Sequence, residues 1–148
     1  MDEYEHSIGI AGTHGKTSTS TMLSYIFLET QLDPTITIGG ILENLHSNYR
    51  IGHSSYFIAE ACEYSDSFLH FHPQIGIVLN VEAEHLDYFK TYERMVDSFR
   101  KYVAGLKPDG CLILNYDYQS LFPDYHGQML TVSLQNRDAD LTADHIEP

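Results

Sequence analysis

At 148 residues, 43% of them hydrophobic and eleven of them tyrosine, the chain is long enough to bury the core of one α/β domain and too apolar to stay disordered. Its net charge of −13 disfavours nucleic acid, whose phosphates it would repel. A local cationic pocket for a single nucleotide remains compatible, above all with a divalent metal between the charges.

The N-terminus, MDEYEHSIGI, lacks a basic region followed by an apolar one, and the longest apolar run, Ile75 to Val81, is too short to span a bilayer. A cytoplasmic location is the expectation. Two cysteines, Cys62 and Cys111, form neither a disulfide framework nor a metal spacing and read as small buried apolar residues. Ser7–Ala11 is short and β-like and leads into a Gly12–Thr17 turn. From Lys16 to about Thr30, Met22, Leu23, Ile26 and Phe27 recur at helical spacing, and Asp33-Pro34 stops the helix. A strand at Thr35–Ile38, a Gly39-Gly40 turn and a polar loop through His53 follow. Tyr56–Ala59 and Ile75–Asn80 read as buried strands with a short helical segment near Ser65–Phe71 between them. Tyr92–Leu106 is a helix with a stripe of Met95, Val96, Phe99 and Val103. Strands at Cys111–Leu114 and Met129–Ser133 complete the pattern, and "ADLTADHIEP" begins another strand and stops, as a fragment of a longer protein would.

Strands alternating with helices imply a parallel sheet, an α/β fold in which ligands gather at the carboxyl ends of the strands. Three polar segments each follow a predicted strand. In the first, "IAGTHGKTSTS", Gly12 and Gly15 let the backbone curl around an anion, and the helix behind them adds its positive end. Lys16 would reach the terminal phosphates and the Thr17 hydroxyl would sit on magnesium. The plainer reading is a strand–helix turn with an exposed lysine. In the second segment, Glu60 ends an apolar strand and suits a magnesium ion, with Glu63 lining the same mouth; a solvated or helix-capping carboxylate is the alternative. In the third, Asn80, Glu82, Glu84, His85 and Asp87 crowd one loop, and His85 is a candidate ligand of a second metal, although a lone histidine is more often structural. Parallel strands would bring Lys16, Thr17, Glu60 and His85 to one sheet edge, an arrangement suited to phosphoryl transfer from magnesium ATP. The pair His70 and His72 has no third ligand at zinc spacing and reads as structural or exposed.

"AGTHGKTST", "EACEYSDSFLHFHP" and "LNVEAEHLDYF" together resemble the central ATPase domain of the Mur ligases. That family uses a shortened Gly-Thr-x-Gly-Lys-Thr loop, which accounts for Ile10 standing where the longer phosphate loop has its first glycine. The resemblance implies a P-loop NTPase-like domain with flanking helices, truncated, with the UDP-binding N-terminal and amino-acid-binding C-terminal domains absent from residues 1–148. It implies that Gly12, Thr13, His14, Gly15, Lys16, Thr17, Ser18 and Asn80 contact ATP. It makes Thr17 and Glu60 ligands of one Mg2+ and His85 the ligand of another, with Lys16, Glu60 and His85 catalytic. Glu84 departs from the family's Asp-His pair by one methylene. His14 in the loop, and Phe99 where several members carry a carbamoylated lysine, fit the alanine-adding branch. The implied chemistry is ATP-dependent amide formation: the carboxylate of UDP-N-acetylmuramate attacks the γ-phosphate, and L-alanine then displaces phosphate from the acyl phosphate. The alternatives are a family member that joins a preformed peptide, or a P-loop NTPase or nucleotide-binding module of other function.

Overall fold

The computed structural model describes residues 3–143 and 145. Its chain order is β1 (His6–Ala11), α1 (Lys16–Glu29), β2 (Thr35–Leu42), β3 (Ser47–Arg50), β4 (Tyr56–Glu60), β5 (Ile75–Val78), α2 (Leu86–Phe89), α3 (Tyr92–Ala104), β6 (Cys111–Asn115), β7 (Gln128–Ser133) and β8 (Leu141–Thr142). A 3-10 segment, Tyr64–His70, lies between β4 and β5. The strands form one sheet in the order β3-β2-β4-β1-β5-β6-β7-β8, parallel throughout except for β3, which pairs antiparallel with β2.

β1 sits mid-sheet with β4 on one side and β5 on the other, and the register sets Ile10 beside both Glu60 and Ile77. Period-two alternation then divides the apolar residues between two faces. Ile8, Ile10 and Ile58 pack under Leu23 and Phe27 of α1. Ala11, Val78, Leu112 and Leu114 face the other way, onto Met95, Val96, Phe99 and Val103 of α3. The predicted α3 stripe is fully buried there, and Phe99 is a core residue. Phe68 of the 3-10 segment stacks on Tyr102, with centroids 4.9 Å apart, and meets Phe99 edge-on. The Tyr102 hydroxyl donates to the Gly9 carbonyl at 3.1 Å, and burial pushes it well above the usual phenol range.

The fold corrects several sequence expectations. Met22 and Ile26 are each 59% exposed, while Ser20 and Ser24 are buried: α1 turns small hydroxyl residues inward and approaches the sheet closely. Ser24 Oγ bonds the Ser20 carbonyl at 2.7 Å, so the buried hydroxyl is satisfied within the helix. Gly39 and Gly40 are no turn but lie inside β2, which runs to Leu42 and returns as β3. Arg50 of β3 pairs with Asp33, and that guanidinium, helped by the His53 amide, holds the Asp33 carboxyl down at about 2. Cys62 is exposed and Cys111 half-buried; the former lies past the end of β4, where Ala61 and Glu63 take the inward positions. The C-terminal strand is limited to Leu141–Thr142, and residues 144 and 146–148 lie outside the described residues. No helix among the described residues is long and apolar enough to cross a membrane.

Candidate functional site

The loop from Gly12 to Gly15 closes over the carboxyl end of β1 and feeds α1. Gly12 (φ 143°) and Gly15 (φ 83°) both hold backbone conformations that side-chain-bearing residues rarely adopt. A Cβ on Gly12 would stand 3.0 Å from Leu79 Cβ, so close approach to the β5 loop also requires glycine. Gly15 is the N-cap of α1; no side chain caps the helix and no acidic residue occupies its first turn. The first-turn amides therefore keep no partner within the helix, and no residue of the helix itself offsets the positive end of its dipole.

The loop is stitched to the segment after β5. Asn80 takes both backbone groups of His14: its Oδ1 accepts from His14 N at 2.7 Å and its Nδ2 donates to His14 O at 3.0 Å. Thr13 N donates to Asn80 O at 3.2 Å, and Thr13 Oγ1 exchanges hydrogen bonds with the backbone of Glu82. The polar atoms of the Asn80 amide are thus engaged in holding the loop. The exposed His14 ring lies 3.7 Å from Glu82 and 3.7 Å from Glu84. Ser18 is exposed on the first turn of α1.

Two groups of chemistry-bearing side chains meet beside this loop. In one, Thr17 Oγ1 lies 3.1 and 2.9 Å from the two carboxylate oxygens of Glu60, and Gly39 N donates to Glu60 Oε2 at 2.7 Å. The glycines of β2 make this possible: a Cβ on Gly39 would fall 2.8 Å from Glu60 Oε1, and one on Gly40 would fall 2.8 Å from Thr17 Cγ2. A hydroxyl and a carboxylate in contact are hard oxygen donors of the kind magnesium selects. In the other group, Glu63, Glu84 and His85 place one ligand atom each within 4.8 Å of one another. Glu63 is fully buried. His85 Nε2 is 3.6 Å from Glu63 Oε1, and the His85 ring packs edge-on against Tyr64 at 5.1 Å.

Lys16 ties the loop to the second group. Its Nζ donates to Gly12 O (2.6 Å), Thr13 O (3.1 Å) and Glu63 Oε1 (3.1 Å), and stands 2.9 Å from Glu63 Oε2. Glu63 Oε2 nevertheless accepts no well-directed hydrogen bond. The Glu63 segment is held by Asp66, which with Ser65 has a positive φ of 56°. The Asp66 carboxylate accepts from Ser98 of α3 and, at 2.7 Å, from Tyr88, whose hydroxyl it pushes above the usual phenol range.

All of the sequence-derived residues thus lie on one sheet edge, in the loop, at the end of β4 and after β5. Glu63, read from the sequence as lining the mouth of the site, is the residue whose burial the sequence conceals: it follows a strand at a position where outward and inward turns look alike. The one available sign was its spacing of three from Glu60. Gly39 and Gly40 were visible as glycines, but a turn was the simpler explanation of two in a row.

Residues 10–148 match the Mur ligase middle domain. The chain is 54% identical over 115 residues to a UDP-N-acetylmuramate–L-alanine ligase of Agathobacter rectalis, covering 78% of this chain and 25% of that protein. It is 45% identical to the enzyme of the same name from Acetivibrio thermocellus over 99% of this chain and 32% of that protein. Among solved structures, a murein peptide ligase from Psychrobacter arcticus superposes with a TM-score of 0.77 at 23% identity, over 99% of this chain and 36% of that one. The chain therefore spans about a third or less of the length of these curated relatives.

Proposed function

The chain belongs to the Mur ligase family, matching its middle domain, and from that premise we propose that it is the ATP-binding part of a UDP-N-acetylmuramate–L-alanine ligase. The two relatives above, which carry that name at 45–54% identity, favour the alanine-adding reaction over the joining of a preformed peptide. On this reading, domains that hold the UDP-sugar acid and the amino acid complete the active site, and the 148-residue chain alone forms no peptide bond.

The observation that carries the nucleotide reading is the uncapped head of α1, with Lys16 beside it and Thr17 already in contact with Glu60. The Gly12–Thr17 loop would cradle the phosphates through the amides of Gly15, Lys16 and Thr17, those of Thr13 and His14 being held by Asn80, and Lys16 would offset charge on the phosphoryl group being transferred. The donor set fits magnesium: Thr17 and Glu60 would hold one ion, and His85 with Glu63 and Glu84 another. Bound metal supplies charge neutralisation of the phosphates. The chain's own part is positional. Asn80 and Thr13 fix the loop, Gly39 and Gly40 seat Glu60 and Thr17, and Asp66 anchors the Glu63 segment.

Calorimetric titration with magnesium and a non-hydrolysable ATP analogue, run on wild type and Lys16→Ala, tests the reading. Loss of a charge-assisted contact to phosphate should weaken binding by about tenfold to 100-fold. Binding that ignores the substitution would refute Lys16 as the phosphate residue. In the intact parent protein, phosphate release dependent on both UDP-N-acetylmuramate and L-alanine would then separate this reaction from peptide ligation and from unrelated ATP hydrolysis.

A further inference from the structure

Among the described residues, Glu63 is the only fully buried acidic or basic side chain. Its neighbours explain how the charge is tolerated. The Lys16 ammonium lies 2.9 and 3.1 Å from its two oxygens, while His85 Nε2 is 3.6 Å from Oε1. An ammonium has three protons to give, and here all three are used, on Gly12 O, Thr13 O and Glu63 Oε1. A phosphate arriving at the loop therefore has no donor from Lys16 until at least one of these bonds breaks.

Breaking the bond to Glu63 has a consequence at the other metal-ligating group. A buried carboxylate stripped of its cation is strongly unfavourable, and its Oε2 already lacks a well-directed donor. Glu84 and His85 present ligand atoms within 4.8 Å of it. A divalent ion there would restore the missing charge. We propose that the Lys16 ammonium and a divalent metal are alternative occupants of the Glu63 carboxylate, so that the Glu63–Glu84–His85 site opens to metal when Lys16 is drawn away to phosphate. The site is self-blocked at rest, and nucleotide and this metal bind with mutual reinforcement, each favouring the state that the other needs. The proposal rests on the reading of Lys16 as a phosphate ligand for its physiological trigger, but the competition itself can be tested with no nucleotide present.

Manganese(II) is the probe, with free ion counted by electron paramagnetic resonance in titrations of wild type, Lys16→Met and Lys16→Met/Glu63→Gln. Removing the ammonium should tighten binding at one site by about tenfold or more, within the usual range for coupled sites. The double variant should lose that gain, leaving whatever Thr17 and Glu60 bind as a shared background. Equal affinity in wild type and Lys16→Met overturns the proposal, and so does a gain that survives Glu63→Gln. If Lys16→Met is too unstable for the titration, thermal unfolding reads the same competition. A rise in midpoint on adding manganese that is larger in Lys16→Met than in wild type supports the proposal, and an equal rise refutes it. Failure here leaves the nucleotide reading intact, because that reading fails only in the separate titration with the ATP analogue.

Discussion

The two long helices were built for different ends. α3 follows the ordinary rules of a stable helix: Thr91 caps it by accepting from Arg94 N, Lys101 lies in its last turn, and its apolar stripe is buried without exception. α1 breaks them. It starts on a left-handed glycine with no side-chain cap, buries two serines, and leaves Met22 and Ile26 in solvent. Its stability comes instead from Leu23 and Phe27 against the sheet, and on the proposed reading its open amino end receives the nucleotide phosphates. Under the nucleotide reading, a helix that looks poorly made by the rules of folding is one whose terminus serves a phosphate site.

That contrast can be broken or sharpened. The largest effect belongs to α3. Phe99→Ala should remove about 3–5 kcal/mol of folding stability, measured by urea unfolding, because it empties the centre of the packed face. An unchanged midpoint would mean that the α3 face carries far less of the core than its burial suggests. Thr91→Ala should cost about 1 kcal/mol by the same measurement, and the folded variant should bind the ATP analogue as wild type does. A matching loss of nucleotide affinity would remove the distinction between the helices. The smallest and most telling change is Ser18→Asp, an acid placed in the exposed first turn of α1. It should raise stability by about 0.5 kcal/mol through the helix dipole, yet weaken the analogue because it competes with phosphate. Stability and affinity moving in the same direction would argue that the head of α1 is not an anion site.

The same contrast explains what was legible in the sequence. The α3 stripe could be read directly, since burial there follows the 3.6-residue period. The loop could be read from Gly12, Gly15, Lys16 and Thr17, whose types are set by local backbone and charge. Placing Glu60 and His85 on one edge needed only the rule that parallel strands end together. What stayed hidden depends on partners far away in the chain. The inward serines of α1 are explained by its close approach to the sheet. The burial of Glu63 is explained by Phe68 seating its segment on α3. The engagement of Asn80 with the His14 backbone needed both loops in place, since a side-chain amide gives no local sign of which peptide it will hold.

Gly39 and Gly40 carry a lesson for reading mutants of this chain. Neither has a functional group, yet their missing methyls are the space that Glu60 and Thr17 fill. A methyl added at position 39 would displace the carboxylate of the neighbouring strand, and if Glu60 holds magnesium as proposed, the damage would register at the bench as weak magnesium dependence. Its origin would be volume. The two glycines work as the mould in which a charged site is cast, and a survey that ranks residues by their chemistry would pass over both.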